Sequence, residues 1–186
     1  MINEATFETP WGPGIVVVEG GRLVEVILPR VEGRPAADQT PSRDESESAA
    51  DPGPARREPQ SAAPPEPPTE VALRWARELG EYFLDGRRRW SDEDVHLDSY
   101  GFTPFRTAVY RALLKVPAGS TITYGELARQ AGRPGAARAV GSAMAENPIA
   151  IVVPCHRVVR NDGSLGRYGF GDPWKPFLLQ MEGALT

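Results

Sequence analysis

The chain has 186 residues, 21 Lys+Arg against 25 Asp+Glu, a formal net charge of −4 and a single cysteine. That length accommodates one or two small domains, and a lone cysteine excludes a disulfide framework and any multi-cysteine zinc or iron–sulfur site. No apolar run approaches the roughly 20 residues of a membrane span.

The opening segment, MINEATFETPWGPG, alternates only weakly. It lacks the basic region and apolar stretch of a signal peptide, so a soluble cytoplasmic protein without membrane contact is expected. Residues 15–18 (IVVV) and 23–28 (LVEVIL) flank Gly20-Gly21, which is a hairpin signal. Apolar content then collapses. Residues 32–70 hold no Val, Ile, Leu, Met, Phe, Trp, Tyr or Cys, and nine of the 19 prolines lie between positions 35 and 68. Such a stretch buries too little apolar surface to offset its ordering entropy, so a disordered insertion is expected over 32–70. Order resumes at Thr69, a fitting cap for a helix that carries Val71, Leu73, Trp75, Leu79, Tyr82 and Phe83 and ends near Gly86. A short strand is expected at Val95, His96 and Leu97. Residues 1–100 thus read as a small mixed α/β domain with an insertion.

Residues 101–186 read as a second domain. They carry ten Lys/Arg against five Asp/Glu, whereas residues 1–100 carry eleven against twenty. The second half is the better candidate for a polyanionic partner, although ordinary surface charge explains so small an excess equally well. Thr103 and Pro104 open a helix with Phe105, Val109, Ala112, Leu113 and Val116 at helical spacing. Thr123-Tyr124-Gly125-Glu126 is a capping-box pattern starting a short helix through Ala131. After the turn Gly132-Arg133-Pro134, a second helix over 135–146 is rich in Ala and Gly. Two short helices across a tight turn suggest a helix-turn-helix. The small side chains permit close approach to a backbone, of DNA or of another part of the protein.

Asn147-Pro148 ends that helix. The run 149–153 (IAIVV) then reads as a buried strand leading into Pro154-Cys155-His156-Arg157-Val158-Val159. A sole cysteine there fits an inert core residue. Against that, Pro154 bends the approach, and His156 and Arg157 place positive charge where it would lower the thiol pKa. A glycine-rich loop over 161–171 also follows. Adjacent residues on a strand diverge, so a direct Cys155–His156 pair is not expected, though a water can link them. That favours a thiolate attacking once over a hydrolase that cycles through water.

PCHRVV (154–159) resembles the active-site motif of the O6-alkylguanine-DNA alkyltransferases. So do FRTAVYRALLKVPAGSTITYGELA, RPGAARAVGSAMAENP, the loop GRYGFG and LLQMEG, over about residues 103–183. The resemblance implies a ribonuclease-H-like α/β domain followed by a helix-turn-helix, winged-helix-like DNA-binding and catalytic domain. It implies a monomer that binds double-stranded DNA, flips O6-alkylguanine out of the stack and takes the alkyl group irreversibly onto its own cysteine, with no cofactor and no metal. On the matching positions, Cys155 is the nucleophile. His156 is a water-linked base oriented by Glu182, and Asn147 holds the turn. Tyr124 hydrogen-bonds the base and assists protonation of the leaving guanine. Arg138 fills the gap left by the extruded base, with Ala136, Ala139, Ala143 and Thr123 at the DNA surface. The carbonyls of Cys155 and Val158 read the guanine amine, the loop at Tyr168-Gly169 closes over it, and Met144 lines the alkyl pocket. Pro176 must then lie in the first turn of its helix, and the sulfur must be deprotonated and reachable. The rival readings are a non-catalytic damage-recognition protein on the same scaffold, a sequence-reading regulator and a cysteine hydrolase. Cys155 argues against the first, the small-sided helix against the second, and the lack of a further acid or base against the third.

Overall fold

The computed structural model describes residues 1–31, 67–171 and 173–185. All but the last four residues of the expected insertion fall outside them. Three antiparallel strands in the order β1 (Ile2–Thr9), β2 (Gly12–Glu19) and β3 (Arg22–Ile27) form the N-terminal sheet. The expected hairpin is β2–β3. Its turn has φ 59° at Gly20 and 80° at Gly21, two successive values that residues with a Cβ avoid. β1 was weakly written because its inward positions are Asn3, Ala5 and Phe7. Buried Asn3 receives the returning chain: its Oδ1 accepts from Thr69 N at 2.6 Å and its Nδ2 donates to Pro67 O at 3.2 Å.

Helix α1 (Glu70–Asp85) packs on β1 and β2 through Ala72, Trp75, Ala76, Leu79 and Tyr82. Thr69 caps it as expected, and Gly86 closes it at φ 66°. The strand expected at 95–97 is not there. Ser91 and Asp94 form a capping box that starts a one-turn helix, α2 (Asp92–Val95). His96 turns the chain at φ 56°, and a 3-10 turn follows over Leu97–Tyr100. A local side-chain-to-backbone exchange at Ser91 and Asp94 outweighs the strand preference of one valine.

In the second half, α3 (Pro104–Leu114) is capped by Thr103. β4 (Ile122–Thr123) leads into α4 (Tyr124–Gln130) through the expected capping box. α5 (Ala137–Ala145) begins two residues later than expected, because Gly135 sits at φ 85°. β5 (Val158–Val159) pairs in parallel with β4, and α6 (Trp174–Met181) holds Pro176 in its first turn. One continuous apolar core joins the two halves. Across it, Trp174 Nε1 donates to Pro29 O at 3.0 Å and Val26 N to Pro148 O at 2.9 Å.

The run 149–153 is buried throughout but is not a strand. Ile149 bridges to Val26 and Ala150 to Val153 only singly. Val153 N returns to Ile149 O at 2.9 Å, and Ile151 lies at φ 72°, which β-branched residues rarely adopt. The run is therefore a tight turn, and the side chain of Asn147 supplies the partners that a neighbouring strand would have given.

Candidate active site

Asn147, 5% exposed at the end of α5, does three things. Its Oδ1 accepts from Ile149 N at 3.2 Å, and its Nδ2 donates to Val153 O at 2.9 Å and to Cys155 Sγ at 3.2 Å. An amide that closes the turn and also touches the sulfur couples the backbone path to the thiol. Cys155 itself opens a short 3-10 turn, Cys155–Arg157, rather than ending a strand. Within that turn the Cys155 side chain meets Asn147, whereas those of His156 and Arg157 both reach Glu182.

One side holds Glu182, at the end of α6, with its side chain fully buried. Arg157 grips it with Nε to Oε2 at 2.9 Å and Nη2 to Oε1 at 2.7 Å. Arg157 Nη1 donates to Val116 O at 2.6 Å. His156 Nε2 lies 3.0 Å from Oε1. Hydrogen bonds from His156 and Arg157 hold the Glu182 carboxyl at about 2 against the desolvation that opposes them. An ionised carboxylate only accepts, so His156 Nε2 carries the hydrogen. Burial holds His156 below its ordinary pKa, hence neutral. Its Nδ1 lone pair is buried and has no hydrogen-bond partner among the described residues. The ring is thus a neutral imidazole with one basic atom left open.

The other side holds the sulfur. Cys155 is 5% exposed, and burial pushes its thiol above the ordinary value. This corrects the expectation of a lowered pKa and a thiol deprotonated at rest. The charge of Arg157 is engaged by Glu182, and His156 is uncharged, so neither draws the proton off. Asn147, the Tyr168 hydroxyl and Lys175 oppose the burial. The Tyr168 hydroxyl is buried without a hydrogen bond of ordinary geometry. It lies near enough to the sulfur to favour the ionised form. Lys175 is 2% exposed on α6, donates from Nζ to Val158 O at 2.6 Å and is held down to about 8 by burial. The thiol therefore rests protonated, beside an imidazole nitrogen open to accept a proton and a buried ammonium.

Tyr124, half-buried at the start of α4, senses both Cys155 and Arg160 electrostatically. A Cβ at Gly166 would come 3.6 Å from its hydroxyl and 3.7 Å from Arg160 Nε, so the 161–171 loop closes on this corner of the site. The Val158 carbonyl is occupied by Lys175, and the Cys155 carbonyl accepts from Val158 N–H. Each retains a second lone pair. Gly169 is exposed beside the buried Tyr168 ring, and Met144 is half-buried on α5. On α5, Arg138 and Ala139 are exposed and Ala136 half-exposed, whereas Ala143 faces the core with its carbonyl bonded by Tyr110 at 2.7 Å. Ala143 therefore does not belong to the outward face. Thr123's hydroxyl is engaged in the α4 cap, with 2.7 Å to Glu126. Three residues had escaped the sequence reading as parts of the site: Lys175, Tyr82 and, as the counter-charge of Glu182, Arg157. Only Arg157 had a signal, its place in PCHRVV. Among the described residues no group of His, Cys, Asp and Glu is arranged to hold a metal ion, and no helix is long and apolar enough to cross a membrane.

Comparison with known proteins adds a name to this geometry. A family model described as 6-O-methylguanine DNA methyltransferase, DNA binding domain, matches residues 104–184. The chain is 50% identical over 105 residues to a methylated-DNA–protein-cysteine methyltransferase of Mycobacterium tuberculosis, covering 56% of this chain and 61% of that protein. It is 54% identical over 85 residues to the Salmonella typhimurium protein of the same name, covering 46% and 50%. These matches span less than two thirds of the relatives' lengths. The crystal structure of M. tuberculosis OGT in complex with DNA superposes with a TM-score of 0.68 at 31% identity, over 97% of this chain and 92% of that one.

Proposed function

The chain belongs to the O6-methylguanine-DNA methyltransferase family, and on that premise we propose that it repairs O6-alkylguanine in double-stranded DNA by moving the alkyl group onto Cys155. The observation that carries this reading is the Asn147–Cys155–His156–Glu182 arrangement. A buried sulfur is held by an amide, and a neutral imidazole fixed by a carboxylate offers its open Nδ1 as a base.

In the proposed reaction α5 and α4 dock on DNA, and Arg138 occupies the space vacated by the flipped guanine. Arg138 suits this because its side chain is exposed and forms no ion pair among the described residues. Ala136 and Ala139 allow close approach, and Thr123 anchors α4. The base enters between Tyr124 and the Tyr168-Gly169 loop, with Met144 along the alkyl group. The carbonyls of Cys155 and Val158 read the exocyclic amine. The thiol proton passes through a water to His156 Nδ1 as sulfur attacks the alkyl carbon. A C–S bond forms, the C–O bond breaks, and its electron pair stays on guanine. Tyr124 assists protonation of the leaving base. The product is a thioether that no thiol exchange reverses, so each molecule acts once. Every group required is on the chain, without cofactor or metal.

The same reading divides the chain into an N-terminal α/β domain, residues 1–100, and a DNA-binding catalytic domain, residues 101–186. It takes the protein as a cytoplasmic monomer. The test is direct. Incubated with a duplex containing O6-methylguanine, the protein should gain one methyl mass per chain, located on the Cys155 peptide. Cys155→Ala should take up none while still binding the duplex. Release of several guanines per chain would overturn the single-use mechanism. Duplex binding without methyl uptake by the unaltered protein would favour the recognition-only alternative.

A further inference from the structure

Glu182 is also reached from the opposite side of the molecule. Tyr82, one turn from the end of α1, donates from its hydroxyl to Glu182 Oε1 at 2.7 Å, across 100 residues of sequence. Tyr82 is fully buried, and burial together with the neighbouring carboxylate pushes its phenol far above the ordinary value. It therefore stays protonated and acts toward Glu182 only as a donor. The backbone repeats the arrangement. α1 ends at Gly86, where an added Cβ would lie 3.0 Å from Met181 O and 3.4 Å from Glu182 Cα. On another flank, a Cβ at Gly119 would lie 3.1 Å from Glu182 O. Both glycines have positive φ, 66° and 79°. The chain at 181–182 is thus held between the end of α1 and the turn after α3, and its carboxylate is held by a hydroxyl from α1. A phenylalanine would fill the same space as Tyr82, so packing alone does not call for the hydroxyl.

We propose that Tyr82 is a positioning residue of the alkyl-transfer site: its hydroxyl, delivered by α1, orients the Glu182 carboxylate and limits how strongly that carboxylate draws on His156 Nε2–H. The proposal rests on the reading of Cys155 as alkyl acceptor and His156 as its water-linked base. Three donors share Oε1, from Tyr82, His156 and Arg157. Each donor that satisfies the oxygen weakens its pull on the others. With Tyr82 in place, His156 remains a weak base that is neutral and open at Nδ1. Without it, the carboxylate pulls harder on Nε2–H and favours the imidazolium, which can no longer accept the thiol proton. The titratable groups acting on the ring are Glu182 and Lys175 from α6 and Arg157 from its own turn; Tyr82 from α1 and Tyr168 from the loop act on Glu182, and Tyr168 also on Cys155. Of these, only Tyr82 is altered in the test.

The chain has only two histidines, His96 and His156, so the imidazole of His156 can be followed by NMR titration. In Tyr82→Phe its pKa should rise by roughly half a unit, the effect expected of one buried hydrogen bond acting through a shared acceptor. The acid limb of the single-turnover pH–rate profile should move up in step, giving about threefold slower transfer on that limb and little change on the alkaline side. A fluorinated tyrosine at position 82, a stronger donor of nearly the same shape, should move both quantities the other way. This second substitution also decides the matter should Tyr82→Phe fail to fold. An unchanged His156 titration and unchanged pH profile in a folded variant would overturn the positioning role. Failure of the unaltered protein to accept a methyl group would instead sink the proposed function, and the titration would still read Tyr82's effect on the ring.

Discussion

The outer face of α5 and the cluster behind Cys155 handle charge in opposite ways. On α5, Arg138 is exposed and forms no ion pair among the described residues, set among Ala136, Ala139 and Ser142. Behind Cys155, Arg157 is 3% exposed and grips Glu182 with two hydrogen bonds, while His156 and Tyr82 fill what remains of that carboxylate. A paired, desolvated charge cannot be offered to a partner, but it fixes geometry. An unpaired, hydrated charge fixes nothing and is available to an anion. The reaction proposed here needs both, one to hold the thiol's neighbours still and one to meet DNA.

The largest expected effect breaks the buried side. Glu182→Gln leaves Arg157 buried without its counter-charge. Glu182 is held at about 2 against an ordinary 4.5. Its folded pKa is depressed, so its stabilisation is present above about pH 4.5 and is lost as pH falls toward 2. The difference in melting between the parent and Glu182→Gln should be on the order of 3 kcal/mol at pH 7. It should shrink steadily below pH 4.5. Transfer should fall about a hundredfold, because His156 loses its orientation. A melting difference that is the same at pH 7 and pH 3 would show that the carboxylate's charge is not what stabilises the fold.

The exposed side is tested by Arg138→Ala. Transfer from a duplex should slow about tenfold or more, since flipping a base costs a few kcal/mol and the variant cannot fill the gap. Transfer from free O6-methylguanine base should not change, and neither should melting. Equal losses with duplex and free base would place Arg138 in the chemistry rather than at the DNA.

The same contrast explains what the sequence made legible. Local signals were read correctly: Thr69, Thr103 and Thr123 cap their helices, Gly20-Gly21 turns the hairpin, and Pro176 sits in a first turn. Cys155, His156, Asn147 and Glu182 could be named because the strings around them resemble a known motif, and the fold brings all four together. One local signal escaped, the Ser91–Asp94 capping box that replaces the strand expected at 95–97, and the other differences come from side-chain contacts that composition does not show. The run 149–153 has a strand's composition, but Val153 N bonds back to Ile149 O, and the side chain of Asn147, bonded to Ile149 N and Val153 O, closes the run as a turn. Arg157 was read as lowering the thiol's pKa, because nothing in the sequence shows that Glu182, 25 residues on, takes up its charge. Tyr82 lies on a helix stripe indistinguishable from ordinary core, 100 residues from the oxygen it bonds.

Lys175 sharpens the contrast most finely, because it belongs to neither pattern. It is buried like Arg157, yet it meets only a carbonyl, Val158 O, among the described residues. A buried ammonium without a carboxylate costs stability unless it serves a neighbour, and the charge it can serve is the forming thiolate of Cys155. Its folded pKa of about 8 lies below the ordinary 10.5. Between those values the unfolded chain binds the extra proton, so the parent's stability should rise with pH across that window. Lys175→Met should lack this rise and melt no lower than the parent at pH 7. The same variant should react a few-fold more slowly with iodoacetamide at Cys155 below about pH 8, where Lys175 carries its charge, and at the parent's rate well above that pH. A variant that loses stability at pH 7 while keeping the parent's iodoacetamide rate below pH 8 would make Lys175 a strut for β5, and the sulfur would then ionise with help from Asn147 and Tyr168 alone.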